Sequence, residues 1–150
     1  MIYLEIITIV IIGWVVGAES GSWSCVHPVI KQLPQESEIQ FQKGLLKTFG
    51  RVMPVLMPLS LALSIFLISF TEDKSSISFV LRIIAMILLA IMTATTVIFN
   101  VPVNFQTGKW HDGYTPEWQR KRKLWRFFQG FRSIALIIAF IFLVIAQTLL

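Results

Sequence analysis

Charge is scarce in this chain. Only 14% of its 150 residues are Asp, Glu, Lys or Arg and 55% are hydrophobic, where a soluble domain carries about 25% charged residues. Water is therefore not its main solvent. Cysteine is nearly absent: Cys25 stands alone, which excludes an intramolecular disulfide and a cysteine-based metal framework. No nucleophile elbow, phosphate loop or zinc spacing is present. The only two histidines are His27 and His111, without the spacing of a helical metal motif. No cofactor is expected, with haem or a metal through His27 and His111, joined by Glu19 or Asp112, as the alternative. No basic residue precedes the first apolar run, and Glu5 sits where a signal peptide carries positive charge. Although Val16-Gly17-Ala18 resembles a cleavage site, that run reads as a retained span.

Four long apolar runs remain, at residues 2–18, 52–70, 79–99 and 133–150. Each is near the 17 to 25 residues that cross a hydrocarbon core as a helix, and in lipid only a helix satisfies an isolated backbone. The expected fold is all-α, a membrane four-helix bundle forming one transmembrane domain over residues 1–150. Ser37-Glu38-Ile39-Gln40 has capping-box spacing, and Phe41, Leu45, Phe49 and Val52 recur at helical intervals. An interfacial amphipathic helix over about 38–50 follows, with bends at Pro54 and Pro58. Thr115-Pro116-Glu117 marks a second start, a capping hydroxyl followed by proline and an acid. It opens an interfacial helix over about 116–131, in which aromatic residues alternate with Arg and Lys.

Eleven of the thirteen basic residues lie in the two long connections, with only Lys74 and Arg82 near the other side. The positive-inside rule places those connections in the cytoplasm and both termini outside. The formal charge of +5 then faces anionic headgroups, so the lipid bilayer and not nucleic acid is the expected partner.

Polar residues at the ends of the spans are the candidates for chemistry. Glu19, Trp23 and His27 share one side of the first helix if it continues to Pro28, and an ionisable group there must be paired or functional. Pairing of Glu19 with Arg51 or Arg132 is the structural alternative. Gly13, Gly17 and Gly21, four apart, form a small-residue stripe for close helix packing. Thr93, Thr96, Asn100 and Asn104 make a polar stripe if the third helix persists past Pro102, which frees the carbonyl of Ile98. With Arg51, Gln129 and Arg132, these residues converge at one membrane face, where Trp110, Trp118 and Trp125 can roof a small-molecule pocket. The opposite pole offers only a short turn.

The chain resembles a family of small four-helix membrane proteins that includes the fungal anthrone oxygenases. The resemblance rests on Pro28-Val29-Ile30-Lys31-Gln32-Leu33-Pro34, Val52-Met53-Pro54, Phe99-Asn100-Val101-Pro102-Val103-Asn104 and Trp125 to Arg132, in the expected order. Asn100, Asn104, Trp125 and Arg132 match the pattern; Gln129 departs from it, many relatives carrying His or Asn there. The resemblance implies insertion of dioxygen into an activated aromatic. Glu19 or His27 is then the expected catalytic base, and Asn100, Asn104 and Arg132 the donors that hold the anion. Trp23, Arg51, Trp110, Trp125 and Gln129 complete the expected substrate-binding set for a lipophilic aromatic or quinol-like compound. The alternative is a non-catalytic binding or assembly subunit, in a homo-oligomer or a larger membrane complex.

Overall fold

The structure, a computed structural model, describes residues 2–149. It is all-α: α1 (Ile2–Ile30), α2 (Gln35–Ser69), α3 (Ile77–Gly108) and α4 (Pro116–Thr148) are each long and apolar enough to cross a membrane. Short connections make successive helices antiparallel. Each helix packs on its neighbours in the chain, and α4 closes the ring against α1. The last residue expected in the fourth span, Leu150, lies outside the described residues.

Local sequence explains most of the ends. Thr115 caps α4 by accepting the Trp118 N–H at 3.3 Å, and Ser76 caps α3 through the Phe79 N–H at 3.1 Å. The capping box expected at Ser37 does not form. Helix α2 already starts at Gln35, directly after the extended Pro34, so Ser37 is an exposed residue of its first turn. The interfacial segments are not separate helices: α2 runs unbroken through Pro54 and Pro58, and α4 runs from Pro116 to Thr148.

Two π turns depart from ordinary winding. They cover Ser22–Val26 in α1 and Thr96–Asn100 in α3, closed by the His27 N–H on the Ser22 carbonyl and the Val101 N–H on the Thr96 carbonyl. A proline follows each turn, Pro28 and Pro102. Proline lacks the N–H of an α-helical bond, and its ring crowds the preceding turn. The wider π turn accommodates both defects without ending the helix, and it sets the following residues back by about 100°.

Ile12, Val15, Leu89, Met92, Leu136, Ala139 and Leu143 anchor the core between the helices. Only 28% to 44% of each span's most apolar window is buried, so isoleucine, valine and phenylalanine cover the outside. Lipid suits that surface and water does not. Of the glycine stripe, only Gly13 meets a neighbour: a Cβ there would lie 3.2 Å from Phe140, whereas Gly17 and Gly21 face open space. The close approach of α1 and α4 uses another glycine. A Cβ on Gly130 would fall 2.8 Å from Trp23 Nε1.

The pole opposite the long connections is richer than its short turn implies. Arg82 donates to Glu5 at 3.0 Å and to Thr71 at 2.8 Å, while Gln147 donates to the other Glu5 oxygen at 2.9 Å. Arg82 and Glu5 are both buried. Polar chemistry is thus not confined to one face.

Candidate functional site

The basic pole holds a second buried acid. Glu19 Oε2 accepts from Arg132 Nη2 at 2.5 Å and from Gln129 Nε2 at 2.6 Å, leaving Oε1 without a hydrogen-bond partner. Arg132 also donates to Thr96 Oγ1 at 2.8 Å and to the Gln129 side-chain carbonyl. Ser133 ties the group together by donating to the Glu19 and Gln129 carbonyls. Glu19 is 2% exposed and Gln129 1%; a carboxylate this buried needs such partners.

Beside this cluster lies a cavity of about 240 Å³. Small-molecule pockets usually measure roughly 300 to 1,000 Å³, so it suits a compact ligand or the buried part of a larger one. Helices α1 and α4 supply a polar wall containing Glu19, Ser22, His27, Trp125, Gln129 and Arg132. Helix α2 supplies an apolar wall that includes Leu46, Phe49, Met53 and Met57, and α3 adds Thr93, Thr96 and Asn104 alongside Val97 and Val101.

The π turns explain why these side chains meet. In an unbroken α-helix, residues eight apart are about 80° out of line; setting the chain back by about 100° nearly restores alignment. His27 is thereby brought over Glu19, and Asn104 over Thr96. Four atoms of cavity-lining residues are buried without a hydrogen-bond partner: His27 Nε2, Asn104 Oδ1, Trp125 Nε1 and Arg132 Nε. The His27 ring lies 4.6 Å from that of Trp125.

Of the residues singled out from sequence, Glu19, His27, Asn104, Trp125, Gln129 and Arg132 come together around the cavity. Five do not join them: Trp23, Arg51, Asn100, Trp110 and Trp118. Arg51 is exposed: Gly50 faces the cavity, and the next residue points about 100° away. Asn100, inside the π turn, is 1% exposed with Nδ2 unpartnered, but it is not a cavity wall. Trp23 packs over Gly130 and lines a second pocket with Lys31 and Arg126. Trp110 and Trp118 pack against each other at a tilt and against Ile39, and Trp110 donates to the Gly113 carbonyl at 2.7 Å. Both therefore anchor the α3–α4 connection and neither lines the cavity. His111 is exposed in that connection, apart from buried His27, and no cluster of three or more His, Cys, Asp or Glu residues occurs among the described residues.

Sequence reasoning missed Gln42 and Arg122. Arg122 is 1% exposed, donates to Gln42 Oε1 at 2.8 Å and lies 4.4 Å from the centre of the Trp125 ring. Gln42 lines the cavity. The available signal was the helical spacing of Arg122, Trp125 and Gln129, which places all three on one face of α4.

Fold and site together define a helical membrane protein with a buried acid–arginine cluster facing a mainly apolar cavity. The anthrone oxygenase family model matches residues 45–142, more than half of the chain. The chain belongs to the anthrone oxygenase family. Comparison with curated proteins and with solved structures gives no match.

Proposed function

We propose that this protein is a membrane oxygenase that binds a lipophilic aromatic or quinol-like compound in the cavity between its four helices. The observation that carries the reading is the uncommitted Glu19 Oε1 beside an apolar wall, with orphaned polar atoms on His27, Asn104, Trp125 and Arg132 around it. Family membership agrees with it. In this reading Glu19 Oε1 takes the proton of an acidic C–H or phenol, with His27 as the alternative acceptor. Trp125 Nε1–H and Arg132 Nε–H hold the resulting oxyanion. For an anthrone-like CH₂ group, dioxygen takes up the carbanion's electrons to give a hydroperoxide, which loses water to leave a ketone. The sum is R₂CH₂ + O₂ → R₂C=O + H₂O, with dioxygen as the oxidant. The positive-inside rule puts this pole in the cytoplasm.

Purified protein in lipid nanodiscs, given anthrone or a quinol under oxygen, should consume dioxygen. Glu19→Gln and Asn104→Ala should abolish that consumption. Wild-type rates in both variants would sink the assignment of the site.

A second reading, a non-catalytic assembly subunit, draws on the open faces of Gly17 and Gly21, which suit a second helix in the membrane. Extraction in mild detergent separates the two, because a chain that migrates alone removes the assembly reading.

A further inference from the structure

Exposure is not shared evenly among the cavity's walls. Every lining residue of α1 and α4 is buried: Glu19, Ser22, His27, Trp125, Gln129 and Arg132. The exposed ones, Gly50, Pro54, Pro58, Val97 and Val101, all belong to α2 and α3. Val97 is 60% exposed and Val101 49%. Towards the headgroup side, the buried Gln42, Trp125 and His27 close the cavity. Among the described residues, the one face where the lining reaches the surface is therefore the seam between α2 and α3, at the level where the apolar spans begin and end.

We infer that the ligand reaches the cavity from the bilayer, through a mouth between α2 and α3 framed by Gly50, Pro54, Pro58, Val97 and Val101. This rests on the small-molecule reading of the site and adds the route, the orientation and a limit on ligand class. The mouth is apolar and the back wall polar, so a ligand sliding in from lipid presents its ketone or phenol edge to Glu19 and Arg132. Its apolar edge stays against α2 and α3. Because the cavity is small and opens towards acyl chains, an alkyl or prenyl tail on that trailing edge extends into the bilayer. The ligand class is a membrane-partitioned ring compound with one polar edge, with or without such a tail.

Gly50 supplies the means to test the mouth. A Cβ at Gly50 meets nothing within 4 Å, and the same holds for Gly44, which lies on the same helix outside the cavity lining. Replacing a helical glycine in open space raises helix propensity, so Gly50→Phe and Gly44→Phe should both fold. Anthrone association and dissociation are followed anaerobically in nanodiscs by quenching of tryptophan fluorescence in a stopped-flow instrument. Gly50→Phe should slow both rates by about tenfold or more, as expected of an obstructed path, while Gly44→Phe keeps the parent rates. Parent-like association in Gly50→Phe, or equal slowing in both variants, would overturn the lateral mouth even where anthrone binds the parent. Absence of anthrone binding to the parent would instead overturn the small-molecule reading, and the route with it.

Discussion

Removing Arg132 tests whether the Glu19 cluster is a true buried ion pair. In Arg132→Met the Glu19 carboxylate, 2% exposed, loses its 2.5 Å bond to the guanidinium and keeps only the Gln129 amide. Stripping one partner from a buried pair destabilises by about 3–5 kcal/mol. Glu19→Met leaves the guanidinium with Thr96 and Gln129 alone, at a similar cost of about 3–5 kcal/mol. The double variant removes both charges, and such replacements are often neutral or stabilising, so the coupling should reach roughly 3 kcal/mol or more. Reversible unfolding of the four proteins by SDS in bicelles, followed by circular dichroism, measures each free energy. Single effects that add to within about 0.5 kcal/mol would refute the pairing. The double variant also separates stability from function: it should fold like the parent and show no oxygen uptake.

Gly130→Ala should destabilise by about 1–3 kcal/mol through overpacking, because its Cβ would fall 2.8 Å from Trp23 Nε1; Trp23→Leu in the same background should recover part of the loss. Arg82→Met should lower stability by about 3–5 kcal/mol, yet leave anthrone binding per folded molecule unchanged, since its cluster lies at the far pole.

How much of this was legible in the sequence depended on whether a feature was local. The four spans were, because an uninterrupted apolar run is its own signal, and so was the cap at Thr115. Pro102 announced a lost hydrogen bond, but not that a π turn would absorb it and bring Asn104 back over Thr96. The same holds for Pro28 and His27. Gly130 carried no local mark, since its need arises from Trp23 on another helix. Glu5 and Arg82 each read as an isolated charge near a span end; two opposite charges near one pole were the overlooked clue. Arg51 and Trp110 stand apart from the cavity, because proximity along the chain does not fix which face a side chain takes.

The two poles share a motif, and their difference bears on function. Each buries a glutamate paired with an arginine from another helix. At the far pole Thr71 and Gln147 join the pair, and no fully buried side-chain atom of that cluster is orphaned among the described residues. Such a cluster serves to register the helices. At the basic pole, four buried polar atoms on cavity-lining side chains are unpartnered, and each such atom costs about 1–3 kcal/mol when unmet. Orphaned atoms also occur off the cavity, on Asn100, Trp118 and Arg122, but packing alone gives no reason for four of them to face one cavity. A ligand with a polar edge does, because it meets those atoms when it binds. Adding such a ligand should therefore stabilise the parent more than a variant in which Trp125→Phe and Asn104→Leu have removed two of them.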